Sequence, residues 1–322
     1  MQGILDFGIQ FIASLQALGE WQTIPMKVFS FLGTEEFYMI VLPVLYWCLD
    51  SGLGLRVAVI LMTSGIFNNG LKTLFHGPRP YWVSTEVTGF AEETSFGVPS
   101  GHAQNAAAIW GIMAAYLRRN WAWVAATLLM FFIGISRLYL AVHFPHDVLV
   151  GWLVGILLLW LTVRFWDPVS AWANRQTLPR QILFAFLATL VLLLFPAAMY
   201  AWLTLSGWQA PAEWSAFAGQ AVSLDGAMTS AGTLFGLLAG AAWMHQQGGF
   251  SEKGPAWKLI LRYLLGVAGV LAIRFGLGFI FPDGETFLAW ALRYLRYALI
   301  GFWVTGGAPW SFIHLKLSEK RG

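Results

Sequence analysis

Long apolar runs constrain this chain more than any other feature of its sequence. Stretches at roughly 35–49, 54–75, 101–118, 121–139, 146–166, 181–204, 224–246, 257–281 and 287–313 each approach the ~20 residues that cross a bilayer as a helix. A helix satisfies its backbone polar groups within one segment, which hydrocarbon demands. Only 11% of the 322 residues are charged, against about 25% in soluble domains. An ordinary soluble enzyme, a coiled coil and a disordered chain are excluded. The 18 Trp and 25 Phe suit a protein with two membrane interfaces, where aromatic rings gather. The net charge of +3 comes from scattered basic residues that form no stripe, so no nucleic-acid partner is expected. The single cysteine, Cys48, excludes an internal disulfide and a cysteine-based metal cluster.

The expected fold is an all-α polytopic membrane protein. Residues 1–32 read as an N-terminal interfacial region, 33–205 as a six-span core and 206–322 as a three-span extension. Within 4–18, Ile4, Leu5, Phe11, Ile12, Leu15 and Leu18 share one helical face, the pattern of an amphipathic helix lying in the interface. Gly232, Gly236 and Gly240 recur every four residues and predict close helix packing. With nine spans, Arg56, Arg118, Arg119, Arg164, Arg175 and Arg180 fall at one membrane face, and Glu86, Glu92, Glu93, Glu213, Asp283 and Glu285 at the other. The basic face is expected to be cytoplasmic.

Three polar clusters then fall at the acidic face. Lys72 and Arg79-Pro80 close the second span, Pro99-Ser100-Gly101-His102 opens the third, and Ser136-Arg137 with His143 and Asp147 bridges the fourth and fifth. Lys72, Arg79 and Arg137 offer three cations, and the arginine fork suits phosphate oxygens. Ser100 offers a hydroxyl, and Gly101 lets a helix N-terminus approach an anion. His102 and His143 supply an acid and a nucleophile. Asp147, four residues after His143, shares its helix face and can take the Nδ1 proton, leaving Nε2 free to attack. Each piece alone has a plain structural reading, as a snorkelling anchor, a helix cap or a surface pair. Their order, common face and charge-poor setting favour a phosphate site.

These residues resemble the three-part signature of the type-2 phosphatidic acid phosphatases, or lipid phosphate phosphatases, which vanadium haloperoxidases share. Six residues separate Lys72 from Arg79-Pro80, five separate Ser136-Arg137 from His143, and three separate His143 from Asp147. Gly33-Thr34-Glu35-Glu36-Phe37-Tyr38 and the extra late spans are similar to sphingosine-1-phosphate phosphatases. That subfamily places Thr between the Ser and His of the second motif, where this chain has Gly101.

The resemblance implies a lipid phosphomonoester hydrolase working through a phosphohistidine. His143 is then the nucleophile, Asp147 its orienting partner and His102 the acid. Lys72, Arg79, Ser100, Gly101 and Arg137 bind the phosphoryl oxygens. Neither a metal nor a cofactor is expected, and the partners are the lipid phosphate substrate and membrane lipids. Sphingoid-base phosphate, lysophosphatidate, phosphatidate and isoprenyl phosphate all remain open, as does phosphotransfer to an acceptor lipid. A transporter or scramblase with a vestigial site is the other reading, and no repeat symmetry supports it. His146 reads as a bystander pointing away from Asp147, and His76 as a residue that could reach substrate. Tyr81, Trp82, Phe90 and Phe96 suggest an apolar lid. Arg274, Arg293 and Arg296, within the late spans, read as a structural ion network, with a headgroup site as the alternative.

Overall fold

A computed structural model describes residues 2–321. Among these the chain is all helical. The helices are α1 (Gln2–Gln16), α2 (Thr23–Phe31), α3 (Glu35–Val44), α4 (Ser51–Phe75), the short α5 (Pro80–Val83), α6 (Gly101–Leu117), α7 (Asn120–Tyr139) and α8 (Pro145–Ala173). They continue with α9 (Leu178–Leu205), the short α10 (Ser215–Ala218), α11 (Asp225–Gln246), α12 (Ala256–Ile280), α13 (Phe287–Phe302) and α14 (Ala308–His314).

Six helices are long and apolar enough to cross a membrane, or seven if the bent pair Glu20–Phe31 and Glu35–Leu49 makes one span. The nine runs of the sequence all become helical, but not all are full-length spans. α6 has 17 residues and is interrupted by Gln104 and Asn105. α13 has 16 residues, carries two arginines, and meets α14 through a π turn at Trp303–Gly307. The bilayer-crossing helices leave large apolar side chains uncovered, among them Leu153 and Trp160 on α8, Val191 and Leu194 on α9, and Phe279 on α12. In water such a surface would drive association; against lipid it costs nothing.

The chain divides into two compact units. The first comprises Met1–Tyr38, Phe67–Thr162 and Pro196–Ser223. Within it α6 lies against α7 and α8. A Cβ at Gly151 of α8 would stand 2.6 Å from the Ser100 carbonyl oxygen, and one at Gly155 would stand 2.8 Å from the Ala107 Cβ. Only a residue without a side chain lets α8 pass this close to the start of α6. α1 docks on this unit by Ile9 and Ile12, buried with Leu138, Phe144 and Val148, and by Gln16, whose amide donates to the Thr88 and Tyr139 carbonyls, both at 2.8 Å. The expected apolar face is therefore split. Ile12 packs inward, while Ile4 and Leu18 stay exposed, because the docking face runs through Ile9 and turns away from them.

The second unit comprises Met39–Ile66, Val163–Phe195 and Leu224–Gly322. Its axis is the packing of α11 on α13. Gly232, Gly236 and Gly240 face the backbone at Tyr294, the backbone at Ala298 and the Thr305 hydroxyl, with no room for a Cβ. Arg262 is buried and donates to the carbonyls of Leu317, Ser251, Glu252 and Lys253 at 2.6–3.0 Å, tying the C-terminal segment to α12.

Candidate active site

The three polar clusters meet within the first unit. Arg79 precedes α5 and is wholly buried. Its Nη1 donates to the Val142 carbonyl at 2.8 Å and lies 3.3 Å from His143 Nε2. On the other side of the imidazole, His143 Nδ1 lies 3.2 Å from Asp147 Oδ2, which also accepts from the Phe144 N–H at 2.9 Å. These neighbours set the tautomer. A guanidinium only donates, so Nε2 must present its lone pair; the carboxylate accepts, so Nδ1 carries the hydrogen. Burial first, then the Arg79, Arg137 and Lys72 cations, push the His143 imidazole well below the usual histidine range. At neutral pH it is an uncharged base with a free Nε2 lone pair.

The start of α6 is locked to this pair. The Ser100 N–H donates to the Asp147 carbonyl at 3.0 Å, and the Ser100 hydroxyl oxygen caps the helix by accepting from the Ala103 N–H at 3.4 Å. Its O–H hydrogen remains to donate, and the first N–H groups of α6 have no intrahelical acceptor. His102 follows, with a buried Nε2 that makes no hydrogen bond. Asn68 of α4 donates to Gln104 at 2.9 Å, fixing α6 against the helix that carries Lys72.

Arg137, in the last turn of α7, is also buried. Its Nη1 donates to Ser30 Oγ of α2 at 2.5 Å. Its Nη2 donates to Glu93 Oε1, and the other Glu93 oxygen lies 3.7 Å from Arg79 Nη2. Beside it, Ser95 Oγ accepts from Lys72 Nζ at 2.6 Å and from Arg79 Nη2 at 3.1 Å. The three cations of the motifs thus converge on one short stretch of the loop between α5 and α6. Burial, the largest influence, would raise the Glu93 carboxyl; Arg137, Arg79 and Lys72 together outweigh it and hold it at about 2.

That loop is anchored rather than loose. The Gly97 N–H donates to the Gly77 carbonyl at 2.9 Å, and a Cβ there would lie 2.6 Å from the Pro78 oxygen and 3.0 Å from Asp147 Oδ2. Trp82 and Phe96 are buried in an aromatic cluster with Trp214, and Phe90 stacks on Tyr139 at 5.7 Å. The Tyr81 hydroxyl bonds both the N–H and the carbonyl of Glu93. These aromatics form the packed base of the loop, not the lid the sequence suggested, because α10 and the segment around it cover Tyr81, Trp82 and Phe96, while Phe90 packs beside Tyr139.

One histidine departs from its reading. His146 Nε2 lies 3.1 Å from Asp147 Oδ1, although its geometry makes no hydrogen bond and Oδ1 has none. The helical-wheel argument fails because α8 begins at Pro145, so His146 belongs to an unconstrained first turn and its ring stacks on Phe144. His76 packs against Trp208 and Trp202, with ring centroids 5.1 and 5.9 Å away. Glu93, Ser95 and Ser30 were not singled out from the sequence. No motif contains them; they enter through the fold of a loop and the docking of α2.

Residues 53–170 match the PAP2 superfamily, and residues 228–320 match the transmembrane extension of PAP2 superfamily phosphatases. Among curated proteins, the chain is 26% identical to phosphatidylglycerophosphatase B of Bacillus subtilis (strain 168), over 48% of this chain and 80% of that one. It is 27% identical to human glucose-6-phosphatase 3 over 62% of each. It is 31% identical to a probable sphingosine-1-phosphate phosphatase of Dictyostelium discoideum, over 40% of this chain and 35% of that one. The chain thus spans less than two thirds of the length of the latter two.

Proposed function

For a multi-span membrane chain that carries a PAP2 superfamily phosphatase domain with its transmembrane extension, we propose hydrolysis of a lipid phosphomonoester through a phosphohistidine. The observation that carries this reading is the convergence of Arg79, Arg137 and Lys72 on one anionic loop segment beside a neutral, oriented His143. A site that gathers an internal carboxylate and hydroxyl in this way is built for phosphoryl oxygens.

In this reading the substrate phosphate displaces the Glu93 carboxylate and the Ser95 hydroxyl. Arg79 and Arg137 take two of its oxygens, and Lys72, the Ser100 O–H and the α6 N–H groups complete the cradle. His143 Nε2 attacks phosphorus in line as the ester P–O bond breaks. The imidazolium that forms is stabilised through Nδ1–H by Asp147. His102, whose Nε2 is free of protein partners, gives a proton to the departing alkoxide. Water then attacks the phosphohistidine, His102 takes its proton, and inorganic phosphate leaves. The cations supply the charge stabilisation that such a loose, charge-spread transition state needs, so the reaction proceeds without a metal.

A long acyl or sphingoid chain stays in hydrocarbon, since each CH₂ drawn into water costs about 0.8 kcal/mol. In this reading the substrate enters from the side, and the positive-inside pattern of the loop charges favours a cradle on the extracytoplasmic face. Purified protein in detergent with EDTA should release phosphate from a panel of sphingoid-base, glycerolipid and isoprenyl phosphates. Glucose 6-phosphate belongs in the panel, given the glucose-6-phosphatase relative. Equal kcat/KM for it would refute the lipid reading, and dependence on added Mg²⁺ would refute the metal-free one.

A further inference from the structure

The cradle and its histidines sit on α4 to α8 and the loops between them, yet two groups that meet them come from the turn between α2 and α3. α2 ends at Phe31 and α3 starts at Glu35. The Gly33 N–H closes the turn on the Ser30 carbonyl at 2.9 Å, and the Thr34 hydroxyl oxygen caps α3 by accepting from the Phe37 N–H at 3.2 Å. Ser30 and Gly33 are both buried. Both precede the stretch, 53–170, that matches the PAP2 superfamily.

Ser30 holds Arg137. Its Oγ accepts from Arg137 Nη1 at 2.5 Å, Glu93 takes Nη2, and the buried Nε makes no hydrogen bond. Once a phosphate has displaced Glu93, Ser30 is the protein group that still fixes this guanidinium. A hydroxyl suits the task, because a carboxylate there would neutralise the cation that the phosphate needs. Gly33 meets the acid instead. A Cβ on it would lie 3.1 Å from His102 Cδ2, 3.3 Å from His102 Cβ and 3.0 Å from Ile133 Cγ2. Cδ2 is bonded to Nε2 in the imidazole ring, so a methyl at residue 33 pushes on the edge that would carry the proton. Ile133 stands one turn before Arg137 on α7, so the same glycine seats the turn on the helix that carries the cation.

We propose that the α2–α3 turn is a positioning element of the active site, in which Ser30 aims Arg137 at the phosphoryl group and Gly33 leaves the space in which His102 meets the leaving oxygen. This rests on the phosphohistidine reading, which gives Arg137 a phosphoryl oxygen and His102 the proton. Both residues of the turn act through another side chain, and their effects differ in kind. Loss of the Ser30 hydroxyl strands a buried N–H of a cation and lets the fork drift, which weakens phosphate binding whatever the leaving group. A displaced His102 matters only where the leaving oxygen needs a proton; an alkoxide does, and a nitrophenolate does not.

The test is steady-state hydrolysis by the purified full chain in mixed micelles, with a long-chain alkyl phosphate and a nitrophenyl phosphate bearing the same chain. G33A should lower kcat/KM for the alkyl ester at least about tenfold and for the nitrophenyl ester less than about twofold. S30A should lower it for both esters alike and weaken orthovanadate inhibition about tenfold, and S30T, which keeps the hydroxyl, should recover most of both. Equal losses on the two esters in folded G33A would overturn the role of Gly33, since a general defect acts on both. Unchanged vanadate inhibition in S30A would overturn the role of Ser30. If G33A is unstable, G33A/I133A removes the Ile133 contact and of the nearest atoms leaves only those of His102. H102A separates this proposal from the reading beneath it. A split between the esters in H102A that G33A lacks strikes the turn alone. No split in H102A removes the acid role from His102, and the role of Gly33 with it.

Discussion

Replacing Glu93 by Gln should make this protein bind phosphate better. The carboxylate lies between Arg137 and Arg79, where the proposed reaction puts phosphoryl oxygens, so in that reading every substrate molecule displaces it. Its strength of attachment can be read from its titration. Glu93 is held at about 2 against an ordinary 4.5, and each tenfold in proton affinity is worth about 1.4 kcal/mol. The ionised form is therefore favoured by roughly 3 kcal/mol in this site. Its side chain is 25% exposed, and Gln keeps an acceptor for Arg137 worth about 1 kcal/mol. What remains is about 1–2 kcal/mol, or close to tenfold in affinity.

The assay is steady-state hydrolysis of a lipid phosphate in mixed micelles, with orthovanadate and inorganic phosphate as inhibitors. E93Q should lower KM and both inhibition constants about tenfold. Product inhibition should deepen by the same factor, since no carboxylate returns to expel phosphate. A general loss of negative charge could mimic part of this, so E92Q is the control. Glu92 is exposed and one residue away, and its removal should change KM by less than about twofold given surface screening. A rise in KM for folded E93Q, or an equal effect of E92Q, would refute the occupancy argument. The sign with pH follows. A carboxyl lowered in the folded state holds the cradle fully above about 4.5, and its hold weakens only as pH falls from there toward about 2.

Three further outcomes follow from the same geometry. H143A should be folded and inactive, and D147N folded but slower by about 10³–10⁴, through loss of the imposed tautomer; full turnover by either would remove His143 from its role. Because His143 is held well below the usual histidine range, its ring should stay uncharged down through about pH 5 to 6.5, and ring-nitrogen NMR that shows it taking up a proton in that window would count against a buried neutral nucleophile. A cysteine placed at Thr85 in a C48A background should react with an impermeant thiol reagent on intact cells, and labelling only after permeabilisation would reverse the orientation.

The sequence exposed the parts of the site that lie at or beside helix ends. Arg79, Ser100, Arg137, His143 and Asp147 could be named because span ends and motif spacing place them without knowledge of the tertiary fold, although Arg79 and His143 each stand just ahead of a helix. The failures share a cause. His146 was judged on a helical wheel although its helix starts one residue earlier. The α1 face counted by periodicity held Ile12 but not Ile9, whereas docking buries both. Spans were counted by apolar length, and α6 falls short because its start serves the site.

Glu93 was missed for a different reason, and here electrostatics could have supplied what pattern reading did not. Three cations brought together in a buried pocket cannot stand uncompensated before substrate arrives, since a buried charge without a partner is costly. Some acid had to hold them in the empty protein. The loop that joins the first two motifs carries Glu86, Glu92 and Glu93, so the resting counterion had to come from a short list. Only the anchoring of the loop at Gly97 and Tyr81 decides among the three.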